Sequence, residues 1–109
     1  MYKKYREYVF KTLPMRDKLE QLAEEASELS QAALKVIRAT NQSDNHTPVS
    51  KKEACDNLVE EFGDVVACYS IIAKTKRELE TLDANDPKWK RWAERLGYKE
   101  DDKQLELPL

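Results

Sequence analysis

The chain has 109 residues with 19 Lys+Arg against 21 Asp+Glu, a net charge of −2, and it is 40% hydrophobic and 37% charged. That length and balance predict one domain with a modest core and a mostly ionic surface, without the basic excess that nucleic-acid backbones select. Two glycines, Gly63 and Gly97, cannot make a glycine-rich phosphate loop, and a lone histidine, His46, excludes paired-histidine zinc and di-iron sites, so a metal here would sit on oxygens.

The opening segment carries Tyr2, Tyr5, Tyr8, Val9 and Phe10, which suits either a short helix or an arm covering a core or a second copy. It lacks the apolar stretch and cleavage site of a secretory signal, and no run in the chain is apolar enough to span a bilayer, so the expected setting is cytoplasmic, with no membrane partner. From Pro14 to about Thr40 the apolar residues Leu19, Leu22, Ala26, Leu29, Ala33 and Ile37 recur at three- and four-residue steps, which predicts an amphipathic helix with proline at its first position. Thr40 to Pro48 is polar and turn-forming, and His46 falls in this loop.

Ser50-Lys-Lys-Glu53 is a capping box that opens a second long helix, with the stripe Leu58, Phe62, Val65, Tyr69, Ile72 and Leu79, predicted to run to about Leu82. Cys55 and Cys68 would share this helix roughly 20 Å apart, too far to pair, as expected in a reducing compartment. Asp83 to Pro87 breaks the pattern, and a third helix follows over Lys88 to Leu96, closed by Gly97, with Trp89, Trp92, Ala93 and Leu96 as an apolar face expected in the core. No strand pattern competes. The fold class is all-α, with a helical domain over 1–97 and a charged tail over 98–109. Two long helices and short flanking ones cannot cover both stripes well in a small chain, so a four-helix bundle completed on homo-oligomerisation is expected.

Each long helix carries one pair of acids three residues apart beside its stripe: Glu25 and Glu28, then Glu61 and Asp64. Antiparallel packing would bring the four carboxylates together, and such a cluster repels itself unless a hard divalent ion, Mg²⁺ or Mn²⁺, intervenes. Gly63, inside the second pair, costs helix propensity and suggests close approach of a backbone or ligand there. Cys68, one turn after Asp64, either lines such a pocket or fills space as a small apolar group.

With E-x-x-E and E-x-x-D in the contexts LAEEASELSQAALKVIRA and NLVEEFGDVVACY, the stretch from Leu19 to Tyr69 resembles the MazG-like all-α nucleoside triphosphate pyrophosphohydrolases. The 32 residues between Glu28 and Glu61 make a longer connection than many members have. The resemblance implies hydrolysis of a nucleoside or deoxynucleoside triphosphate to monophosphate and pyrophosphate. Glu25, Glu28, Glu61 and Asp64 would be Mg²⁺ ligands, and one of Glu25 and Glu28 the general base. Lys35 and Arg38, further along the first long helix, are candidates for the phosphates, as are Lys90, Arg91 and Arg95. The alternative is a non-enzymatic helical dimerisation module in which the four acids only confer solubility. Finally, Gln104, Leu105, Leu107, Pro108 and Leu109 at the chain's end are similar to the hexapeptide by which bacterial proteins bind the replicative sliding clamp, so the clamp is an expected partner.

Overall fold

The computed structural model describes residues 2–45, 48–74, 78 and 87–100. Four helices are delimited among the described residues: α1 (Lys3–Thr12), α2 (Met15–Ala39), α3 (Lys51–Ser70) and α4 (Pro87–Arg95). No strand occurs among the described residues, so the chain is all-α. It forms two compact units, residues 1–79 and 80–109.

The first unit is built on α2 and α3, which pack along their length as a hairpin. The least exposed residues of α2 between its first turn and its end are Lys18, Leu22, Glu25, Leu29, Ala32 and Val36, a row with steps of four and three. Along α3 the corresponding row is Ala54, Leu58, Glu61, Val65 and Cys68, with the same alternation. Such rows face each other when two helices cross at a small angle, and small residues towards the connecting loop, Ala32 and Ala54, let the backbones approach there. Accordingly Ala32 is 1% exposed and Ala54 2%, the most deeply buried apolar residues of the described chain.

The helix ends follow from local chemistry. Asn41, with φ 62°, takes the left-handed conformation after α2, and the Gln42 N–H then reaches the Ile37 carbonyl at 3.1 Å while that of Asn41 reaches Arg38. These two bonds satisfy carbonyls that the helix end would otherwise leave unpaired. The Ser50 hydroxyl accepts the Glu53 N–H at 3.1 Å, the N-cap expected from the sequence. Replacing this serine, Ser50→Ala, is expected to cost about 1 kcal/mol, read as a drop of several degrees in the thermal midpoint followed by circular dichroism.

The second long helix does not run on towards Leu82: α3 ends at Ser70, and residues 79–86 lie outside the described region. The Ser70 hydroxyl turns back onto the Ala67 carbonyl, Ile71 tucks in at 7% exposure, and the Arg6 guanidinium donates to the Ser70 carbonyl at 2.6 Å. Burial of Ile71 and an outside donor on the terminal carbonyl thus replace further helix turns. The opening segment is a helix, α1, with Tyr2, Tyr5 and Tyr8 exposed. Its Arg6 and Phe10, one turn apart, meet the hairpin, Phe10 through its ring against the Lys18 ammonium at 4.4 Å.

Several apolar residues stay bare within the unit, among them Leu19, Ile37 and Phe62 of the predicted stripes. Leu19 and Ile37 on α2, and Val59, Phe62 and Val66 on α3, are each between 41% and 72% exposed. They fall on a second face about 80–140° around each helix from the packed rows. In the other unit, Trp89 and Trp92 stack on each other, rings 5.8 Å apart and 5° from parallel. Both remain more than 40% exposed rather than anchoring a core, because a helix of nine residues offers one thin apolar arc. The turn after α4 is closed by Gly97 at φ 103°, with its N–H on Glu94 and that of Tyr98 on Ala93. Gln104, Leu105, Leu107, Pro108 and Leu109, and also His46, lie outside the described residues.

Candidate metal centre

Glu25 and Glu61 occupy the third position of the two facing rows, so helix packing itself draws carboxylates into the interface. Glu28, one turn beyond Glu25, stands exposed at the edge. One oxygen of each of Glu25, Glu28 and Glu61 falls within 4.8 Å of the others, a spacing suited to a single cation. The sequence reading placed these acids beside the apolar stripes. Leu19, Ala26, Ala33 and Ile37 lie one row away from the true contact row, which is the reason two of the acids are more enclosed than expected.

Held this close, three carboxylates oppose one another. The carboxyl of Glu28 is pushed above the usual carboxylate range, first by the charge of Glu25, then by partial loss of hydration and by Glu61. Glu25 is oriented from its own helix, because the Gln21 amide donates to its Oε1 at 2.9 Å. Its other oxygen, Oε2, is buried with no hydrogen-bond partner, and so is Glu61 Oε2. An unsatisfied buried carboxylate oxygen is costly, and two of them within a trio of acids match the needs of a hard cation, which takes oxygen lone pairs and cancels repulsion. The donor set is all oxygen and anionic, which fits Mg²⁺ or Mn²⁺.

Asp64 is exposed on the turn after Glu61 and is not one of the three clustered acids. Its charge and that of Glu25 both act on Cys68, whose thiol is pushed up mainly by burial and further by these two acids. The thiol therefore stays protonated, as a half-buried filler of the row. Gly63 has open space around it: a Cβ added there would meet nothing within 4 Å, so nothing inside the chain demands glycine. Lys35 is exposed and Arg38 half-buried near the end of α2. On the other unit Arg91 and Arg95, with Lys88 and Glu94, line a shallow open depression, and Lys90 pairs with Glu94 at 3.5 Å. The sequence reading missed Lys18, which holds a position in the packed row and is only 6% exposed.

The repulsion sets the sign of a pH effect. A carboxyl with a raised folded-state pKa binds more protons folded than unfolded between the two values, so its contribution is full below the unfolded pKa and is lost as pH rises through the folded one. In metal-free buffer, Glu28→Gln is therefore expected to gain thermal stability over the parent as pH rises from the acid side of the carboxylate range to neutrality. Paired melting curves across that range check it, and a difference that does not change with pH contradicts the mutual repulsion.

Among the described residues no helix is long and apolar enough to cross a membrane. Compared with known proteins, the chain matches no protein-family model, no curated protein and no solved structure.

Proposed function

We propose that the protein is a Mg²⁺-dependent pyrophosphohydrolase of nucleoside or deoxynucleoside triphosphates, of the MazG-like kind that its two acidic motifs resemble. The observation that carries this reading is the pair of unpartnered buried oxygens, Glu25 Oε2 and Glu61 Oε2, on two of the three acids that cluster within 4.8 Å at the α2–α3 interface. Glu25, Glu28 and Glu61 hold the metal, with Asp64 as the fourth acid of the motif. When bound, the ion neutralises charge on the phosphates as the α–β anhydride is cleaved. Gln21 keeps the Glu25 carboxylate in place, so its row position costs little reorganisation on binding. Glu28 is the acid that solvent reaches, and we assign it the proton of the attacking water. The water oxygen bonds to the α-phosphorus, the bond to the bridging oxygen breaks, and pyrophosphate leaves with the electron pair. Lys35 and Arg38 remain candidates for the phosphates further along α2.

Incubating the purified chain with Mg²⁺ and a panel of common and damaged triphosphates, and measuring pyrophosphate, tests the reading. Stoichiometric monophosphate and pyrophosphate are expected from at least one of them, whereas no release from any member contradicts it.

The bare faces of α2 and α3 support a second copy as partner, completing a four-helix bundle. The same faces would also serve a non-enzymatic dimerisation module, and the pyrophosphate assay separates the two readings. At the chain's end, Gln104-Leu-Glu-Leu-Pro-Leu109 is proposed to dock on the replicative sliding clamp, placing the hydrolase where deoxynucleotides are consumed. Binding to purified clamp should be lost on truncation before Gln104.

A further inference from the structure

A lysine in the contact row of a two-helix hairpin is out of place: the pattern calls for an apolar residue, and a lysine fits there only by burying its stem while its ammonium reaches solvent or a partner. Lys18 nevertheless begins the α2 row and is only 6% exposed, with the Phe10 ring 4.4 Å from its Nζ. Its Nζ is not among the buried atoms left without a partner, so the tip beside the Phe10 ring keeps some contact with solvent. No carboxylate pairs with Lys18 among the described residues, although acids are abundant on the same helix.

Its neighbourhood is cationic a second time. Arg6 lies on the same face of α1 as Phe10, one turn earlier, and its guanidinium is fixed on the Ser70 carbonyl without a carboxylate partner. The hairpin therefore carries two cations without acidic partners at the end where α1 crosses it, and three crowded acids further along. Lys18 and Glu25 are seven residues apart on one row, about 10 Å along the axis. A ligand complementary to that sequence of charges bears a cation at one end and anionic groups at the other. A divalent metal coordinated to a chain of phosphates has that form.

We propose that Lys18, seconded by Arg6, anchors the distal phosphates of a metal-bound triphosphate whose metal sits on Glu25, Glu28 and Glu61. The assignment rests on the pyrophosphohydrolase reading and adds to it a residue, and a requirement for three phosphates rather than one. It also gives the ammonium, which has no carboxylate beside it among the described residues, an anionic partner.

Calorimetry with inorganic tripolyphosphate as the probe tests this on the full chain, with Mg²⁺ and separately in EDTA. Lys18→Met suits the buried row sterically and should preserve the melting temperature and Mg²⁺ binding. It should weaken tripolyphosphate about 10- to 100-fold, with most of that affinity kept by Lys18→Arg. Undiminished binding by Lys18→Met overturns the assignment and makes Lys18 a packing residue. Wild-type Mg²⁺ binding without tripolyphosphate binding also overturns it while leaving the metal centre standing. If Mg²⁺ fails to bind at all, the metal centre falls, and the EDTA arm still decides the anchor by the same Lys18→Met comparison. Should Lys18→Met not fold, the Lys18 Cε signal of the labelled wild type must shift on adding tripolyphosphate, and a stationary signal overturns the proposal.

Discussion

Glu61→Gln is expected to make the metal-free protein more stable at neutral pH and, on the proposed pyrophosphohydrolase reading, to abolish pyrophosphate release. The substitution keeps the size and shape of a side chain in the α3 contact row while removing one of three charges packed within 4.8 Å. Relief of repulsion raises the melting temperature in EDTA. The amide offers one weak oxygen where a carboxylate offered two, so the gain in melting temperature on adding Mg²⁺, large for the parent, should vanish. Turnover should fall by roughly a thousandfold or more, the scale on which loss of electrostatic stabilisation at a reacting centre is felt. Differential scanning fluorimetry with and without Mg²⁺, beside a pyrophosphate assay, reads all three effects. A variant that is less stable in EDTA, or still stabilised by Mg²⁺, would show that Glu61 is an ordinary boundary residue.

If two copies pair through the bare faces as proposed, Phe62→Glu, and independently Val66→Glu, should turn the assembly into a monomer. Both residues lie on the bare α3 face, 49% and 50% exposed, next to Val59 at 72%. An apolar ridge of this kind, uncovered beside an equally uncovered row on α2, leaves much of the transfer free energy of two long helices unrealised. A buried charge opposite an apolar partner removes a central contact and desolvates a carboxylate. That amounts to about 2 kcal/mol or more, roughly a 30-fold weaker dissociation constant. Light scattering across a dilution series measures it. A parent that is already monomeric at high concentration would show that these faces are not a homotypic interface.

Much of this architecture was legible because helix signals are local. Ser50 with Glu53, Pro87 with Gly97, and the polar loop from Thr40 each specify an end through their own backbone chemistry, and each end lies within a residue or so of expectation. What periodicity could not settle was which of two adjacent rows faces the neighbour. On α2 the row through Leu22, Ala26, Leu29 and Ala33 and the row through Leu22, Glu25, Leu29 and Ala32 share two leucines. Hydrophobicity favours the first and the helix pairing uses the second. Choosing the second draws Glu25 and Lys18 inward, so the same ambiguity that blurred the core concealed the enclosed charges. The end of α3 was hidden for a different reason, since it depends on Arg6, 64 residues away in sequence.

The described core has consequences for denaturation. A hairpin whose deepest apolar positions are Ala32, Ala54 and Ile71 gains little fresh surface when the chain opens. The urea dependence of unfolding scales with that surface. A dilute sample should therefore unfold over a broad range of denaturant with a shallow slope. At concentrations where copies associate the slope should steepen, because opening then also exposes the helix faces that each copy had covered for the other.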